Sequence, residues 1–343
     1  MIKENFDIFV LTLRILLGFS MHKESVTVEE DGRIDKILSQ KLGKSRNQIE
    51  KLIKDGLVMI DGKVIHKSSF KISANQEIEY SFKQAVPRKS LDIDFDIDII
   101  YEDDDILVIN KPSGLIVHPA PSVKEPTLVD WLVNKGISLS TISGDERHGI
   151  VHRIDKETTG ALVVAKNNES HRRLSAQLQD KSMGRYYLAL IDHPLKENAE
   201  VNKPIFRNPY NRLKMAVVDG GREAKTDFAI ISNANNGSSL IAAKLYTGRT
   251  HQIRVHLESI GRHILGDQMY GYKAKMGKIT RVYLHAYMLY LNHPMSGKRV
   301  ELIAPMFDDM KSYIDKYFDK GEVYDKIREE NIRTIFDVNN IFA

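Results

Sequence analysis

"HGIVHRIDKETTGALVVAKN" (residues 148–167) sets nine mostly polar residues between two apolar stretches. Gly149–Val151 leads in, Ala161–Ala165 leads out, and both flanks read as buried strand. A chain that interrupts its own core with His152, Arg153 and Asp155 does so for a turn or for chemistry. Taken alone, Asp155 reads as a cap for local backbone groups in a polar turn.

Three chemical readings compete with that turn, and each lacks a partner. A kinase-like H-R-D loop fails because Ile154 separates Arg153 from Asp155, and no glycine-rich ATP loop is present. His148 and His152, four residues apart, would share a metal on a helix, but their flanks are strand-like and a third ligand is missing. A glycosidase needs two carboxylates across a sugar, and nothing places Glu157 opposite Asp155.

At 343 residues the chain has room for two domains. The absence of cysteine excludes disulfides, thiolate metal sites and cysteine nucleophiles, and agrees with a cytoplasmic setting. Residues 1–30 read as an N-terminal extension. Its apolar part, Phe6 to Phe19, is short of the roughly 20 residues that span a bilayer and carries Asp7 and Arg14. It lacks a signal-peptide cleavage site, so no membrane role is expected. The segment is either an added amphipathic helix or the product of a start assigned ahead of Met21.

Charge is uneven. The net formal charge is +4, yet residues 31–90 alone carry thirteen basic and seven acidic side chains. A local positive excess of this kind is a footprint for a phosphate backbone. Within it, Ile34, Ile37, Leu38 and Leu42 recur at helical spacing before Gly43. Ser45 caps a second helix with Ile49, Leu52 and Ile53 inside, and Asp61-Gly62 signals a type I′ hairpin. Lys41, Lys44, Arg46, Lys51 and Lys54 decorate the helices as candidate RNA contacts. Helix, helix, hairpin and basic rim over residues 31–83 resemble the small RNA-binding module named after ribosomal protein S-four. Residues 84–90, with Pro87, read as a linker.

From residue 91 strands alternate with short helices. The acidic turn Asp103–Asp105 reads as solvated, since no further ligand follows at metal-binding spacing. Helices are expected over 127–136 and 168–181, and strands over 185–191 and 239–246. "TGRTHQIRVHLESIG" (247–261) reads as a helix capped by Thr250 and ended by Gly261. Arg249, His251 and Arg254 crowd its N-terminal end, where the macrodipole already disfavours cations, so an anion is expected there.

Six blocks then occur in order: "YEDDDILVINKPSGLIVHP" (101–119), the stretch 148–167, "RYYLAL" (185–190), "TGRTHQIRVHL" (247–257), "ILGDQMYG" (264–271) and "YLHA" (283–286). Together they resemble the RluA-type pseudouridine synthases over residues 91–305. The resemblance implies an α+β fold, with a mixed, largely antiparallel central sheet flanked by helices. It implies an isomerase that cuts the uridine C1′–N1 bond, turns the uracil and rejoins C1′ to C5 without cofactor or metal.

Asp155 matches the family's catalytic aspartate, and a carboxylate with an ordinary pKa near 3.9 is ionised at neutral pH. It would attack C1′ or take the C2′ proton, two roles the sequence leaves open. By the same resemblance Arg254 holds Asp155, Tyr187 packs on the target base and Leu284 floors the pocket. Tyr186 is expected on the opposite strand face. The resemblance implies that Arg153 helps the uridine leave the stack, with His152, Arg249 and His251 as further expected substrate contacts. Ile154 for a usual leucine and His263 for a common proline depart from the pattern. The expected partner is large-subunit ribosomal RNA, free or in ribosomal precursor particles, with transfer RNA second and the chain a monomer. A non-catalytic RNA-binding assembly factor is the rival. The tail after residue 305 lies outside the resemblance and reads as charged amphipathic helix.

Overall fold

The computed structural model describes residues 23–43, 46–81, 93–119, 123–140, 148–273 and 279–336. The chain divides into two compact units, Met1–Arg88 and Lys89–Ala343. Lys44, Ser45, the 84–90 linker and the Phe6–Phe19 segment with Met21 lie outside the described residues.

In the small unit, helices Ile34–Leu42 and Arg46–Lys54 form where the apolar spacing places them. Ile34, Leu38, Ile49 and Ile53 are buried against Val58 and Ile78. Asp61 and Gly62 both have positive φ, 50° and 74°, the type I′ geometry that matches strand twist. They join Val58–Ile60 to Lys63–Val64. Residues 23–27, expected in an extension, instead form a strand, Lys23–Thr27, paired antiparallel with Glu77–Ser81. The segment K-E-S-V-T has one apolar side chain, Val26, too few for a period to show.

The large unit is built on a nine-stranded sheet. Its order runs Ala199–Asn202, Lys225–Asn233, Ser239–Leu245, Gly184–Ile191, Leu284–Asn292, Thr159–Ala165, Ile106–Lys111, Ile99–Glu102. Arg299–Ile303 pairs with the second half of Leu284–Asn292. All pairings are antiparallel except that of Leu284–Asn292 with Thr159–Ala165, through His285↔Thr159 and Ala286↔Gly160. At this parallel contact Gly160 has φ 109°, and a Cβ there would stand 2.3 Å from the Ala286 carbonyl oxygen. Only glycine permits that approach, so the last residue of the polar stretch is fixed by packing.

The lead-out of the opening stretch is a fully buried strand, Thr159–Ala165. The lead-in, read as strand, makes only an isolated antiparallel bridge, Ile150↔Val164. Gly149 turns the chain just before it with φ 68°. The 127–136 helix forms as Leu128–Asn134, with a capping box between Thr127 and Asp130. The tail forms helices Asp308–Tyr317, Lys320–Lys326 and Glu329–Thr334. Met310, Ile314, Val323 and Ile332 are buried in the same core as the sheet, so the tail completes this unit.

The acidic turn is tied inward. Asp103 accepts from the Asp105 and Ile106 amides at 2.8 Å and from the Tyr101 hydroxyl at 2.6 Å. His293, 190 residues on, adds a bond of 2.8 Å from Nε2, a partner that local spacing could not reveal. Burial raises the Asp103 pKa, but these bonds outweigh it and hold the carboxyl near 2.

Two buried titratable groups fasten the sheet beside the polar stretch. Lys111 Nζ donates to the carbonyls of Pro112, Leu115 and Lys156 at 2.7, 2.9 and 3.0 Å. Burial pushes its pKa down to about 7, while the nearby Glu157 and Asp155 charges oppose that fall. His285 lies between Thr159 Oγ1 at 2.8 Å and the Ala304 carbonyl at 3.0 Å. Burial holds it near pKa 4. Between pH 6.5 and 4 the unfolded chain therefore binds more protons at this position than the folded one. Stability is expected to fall as pH drops through that window, by about 3 kcal/mol from this group. Urea midpoints measured from pH 7 to pH 4 should show the loss, and His285→Gln should flatten it.

Candidate active site

The sheet brings four of the quoted blocks to one small cavity of about 60 Å³. The 152–158 turn contributes Arg153, Ile154, Asp155 and Thr158; strand Gly184–Ile191 contributes Arg185 and Tyr187. The 247–257 block contributes Arg249, His251 and Arg254, and strand Leu284–Asn292 contributes Leu284 at its first position. Asp155 is the one carboxylate among the described lining residues. Ile154, Tyr187 and Leu284 are buried apolar walls.

Helix Gln252–Glu258 is seated differently from expectation. Its N-cap is His251, in the left-handed conformation at φ 58°, and no side chain caps it. Thr250 is not the cap. The side chain of Gln252 bonds back to the entry loop: Oε1 accepts from the Arg249 amide at 3.0 Å and the Thr247 hydroxyl at 2.7 Å. A non-glycine residue held at positive φ costs of order 1 kcal/mol. Here the conformation aims His251 at the cavity wall, where its Nδ1 lies 2.7 Å from the Tyr270 hydroxyl.

Arg254 is the centre of the charge arrangement. Its Nη1 stands 3.7 Å from Asp155 Oδ2. Its stronger partner is Asp267, which accepts from Nε at 2.6 Å and from Nη2 at 2.7 Å. This bidentate pair is buried on both sides and orients the planar guanidinium. The Tyr270 ring lies 4.8 Å from the guanidinium carbon, and its hydroxyl accepts from the Met215 amide at 2.8 Å. Burial opposes the Arg254 charge, but the bond to Asp267 outweighs it and raises the arginine's pKa further.

Asp267 and Tyr270 were quoted within "ILGDQMYG" but given no role. The signal was present: an arginine on a buried helix face requires a carboxylate, and Asp267 follows a glycine. Gly266 holds φ 86°, and a Cβ there would come within 1.9 Å of the Arg281 carbonyl oxygen.

The other expected residues divide. Tyr187 lines the cavity and is 4% exposed; burial raises its pKa, with Arg185 opposing. Tyr186 packs elsewhere, with its ring 5.4 Å from Tyr290 and 5.5 Å from Phe336. Arg153 is exposed on the rim. Arg249 donates from Nε to the Glu223 carbonyl at 2.9 Å. His152 is not with Asp155: its Nε2 accepts from the Val163 amide at 3.2 Å, and its Nδ1 stands against Arg185 Nη1. Burial, then the Arg185 charge, holds its pKa well below the histidine range. It supports the wall between this cavity and a larger one.

In the small unit the basic set is partly committed. Asp35, fully buried, accepts from Arg33 Nη2 at 2.9 Å and from Arg46 Nη2 at 3.1 Å. Lys41 pairs with Glu29, whereas Lys51 and Lys54 are exposed. No described helix is long and apolar enough to cross a membrane.

Comparison with known proteins identifies the family. Residues 105–259 match the RNA pseudouridylate synthase family model, and residues 32–78 match the S4 domain. The chain is 44% identical to an "Uncharacterized RNA pseudouridine synthase" of Helicobacter pylori (strain J99), covering 92% of this chain and 99% of that protein. It is 39% identical to "Ribosomal large subunit pseudouridine synthase D" of Zymomonas mobilis, over 85% of this chain and 96% of the relative. The fold is shared with human RNA pseudouridylate synthase domain containing 1, at TM-score 0.50 and 22% identity over 65% of this chain and 96% of that structure. With an S4 domain ahead of a catalytic unit that gathers the quoted blocks around Asp155, the chain belongs to the RNA pseudouridine synthases, isomerases that act on RNA.

Proposed function

We propose that the chain converts uridine to pseudouridine in large-subunit ribosomal RNA, with Asp155 as the reacting carboxylate. The observation that carries this reading is Asp155 standing as the one carboxylate among the described lining residues of a cavity walled partly by Ile154, Tyr187 and Leu284, 3.7 Å from an arginine already anchored elsewhere. The isomerisation breaks C1′–N1 and forms C1′–C5; a proton leaves C5 and N1 gains one. Asp155 meets the ribose, by attack at C1′ or by taking the C2′ proton. Arg254 keeps that carboxylate aimed, Tyr187 lies against the uracil, and Leu284 with Ile154 excludes water. Arg153 at the rim meets the strand from which the base is turned out, a step that costs a few kcal/mol.

The ribosomal assignment is supported by the Zymomonas mobilis relative, named for the ribosomal large subunit. The test is direct. Purified protein is incubated with unmodified large-subunit ribosomal RNA and with unmodified transfer RNA, and pseudouridine is mapped in each. Pseudouridine at discrete sites in the ribosomal RNA alone is expected. Product only in transfer RNA would overturn the substrate, and none in either would overturn the activity.

A further inference from the structure

Arg185 is a buried cation with no carboxylate partner among the described residues. It is 8% exposed, its Nε has no hydrogen-bond partner among the described residues, and its Nη1 faces a histidine ring rather than a carboxylate. Leaving a buried charge uncompensated is costly, so folded proteins retain one where a ligand supplies the counter-charge. The side chain lies between two cavities. One is the Asp155 pocket; the other, about 450 Å³, shares Arg153, Arg185, Leu245 and Gly248 with it.

The larger cavity has a defined chemistry. Arg153, Lys181, Arg185 and Lys244 line it, and no aspartate or glutamate is among its described lining residues. Tyr246 and Tyr290 supply aromatic surface, with Lys244 Nζ 5.4 Å from the Tyr246 ring centroid. Four cations, two tyrosines and no carboxylate fit a phosphodiester with an adjoining base better than any neutral ligand.

We propose that this cavity binds the RNA phosphodiester next to the target nucleotide, with Arg185 as its buried anchor. The proposal rests on the reading that a uridine enters the Asp155 pocket. Arg185 sits two residues before Tyr187 on one strand and lines the same pocket. A bulge lies between Tyr186 and Tyr187, and the residue that anchors the backbone and the one placed against the base reach one pocket from the same strand.

The test is binding of the full chain to a single-stranded oligouridylate across a series of KCl concentrations. Each lost phosphate contact makes the log–log salt slope shallower by about 0.7 for single strands. Arg185→Gln is expected to lose that much, which amounts to about fivefold weaker binding at 0.1 M than at 1 M salt relative to the unsubstituted chain. Arg185→Lys, which keeps the charge, should retain the slope. Lys181→Gln with Lys244→Gln, at the more exposed edge, should make it shallower without moving the melting temperature, so the proposal survives a folding failure of Arg185→Gln. Full slope in both the glutamine variant and the double variant overturns the proposal, as does an unsubstituted chain whose binding ignores salt. Binding needs no isomerisation, so this result is separate from whether Asp155 carries the chemistry.

Discussion

Asp155→Asn is expected to lower isomerisation by about 10⁴-fold or more while leaving RNA affinity within about threefold. The magnitude is that of removing a reacting group whose partners remain in place. Asparagine keeps the shape of the side chain and its distance from Arg254, but it neither attacks carbon at a useful rate nor takes a proton. Because the S4 unit and the basic cavity are untouched, binding survives. Single-turnover conversion of a ribosomal RNA fragment, with binding measured in parallel, separates the two effects. A variant that still made pseudouridine at more than about a hundredth of the normal rate would remove Asp155 from the chemistry. It would also favour reading the turn as a structural cap, which is what the aspartate looks like in isolation.

Asp267→Asn is expected to be nearly as damaging for a different reason. Asp267 accepts two charge-assisted bonds from Arg254 with both groups buried. Removing one partner of a buried pair typically costs about 3–5 kcal/mol, because the remaining charge is stranded. The freed guanidinium then has Asp155, already 3.7 Å away, as its nearest carboxylate. A closer pair would hold Asp155 off the ribose. A fall of about 100-fold or more in kcat is therefore expected, with KM little changed and a lower unfolding midpoint. Asp267→Glu, which keeps the charge, should recover much of the stability but less of the rate, since its longer side chain shifts the guanidinium. If kcat in Asp267→Asn stayed within threefold of normal, Arg254 would not depend on Asp267 for its position.

The two predictions probe residues of unequal legibility. The polar run between apolar flanks drew attention to Asp155, but that local pattern alone reads as a cap; the order of the six blocks assigned it the expected catalytic role. Tyr187, Arg254 and Leu284 followed through the order of blocks, and the structure brings all of them to one cavity with Asp155. His152 lines the larger cavity rather than the Asp155 pocket, since adjacency to a reactive residue says nothing about which way a side chain turns in an irregular loop. Thr250 was misread as a cap because the rule for helix starts assumes an ordinary entry. Here His251 enters at positive φ and Gln252 bonds back to the loop.

The order of the six blocks singled out Asp155; local pattern determined the paired helices and Asp-Gly hairpin of the small unit and several strands and helices of the large one. These depend on periods of two and 3.6 residues and on turn chemistry, which act over a few residues. The tertiary structure decided what each charge is for. Asp267 grips Arg254 across 13 residues, and His293 reaches Asp103 across 190. Arg185 is left between two cavities with no carboxylate of its own among the described residues. A buried charge is governed by whichever opposite charge the fold brings near it, and that distance is not written in the spacing of residues along the chain.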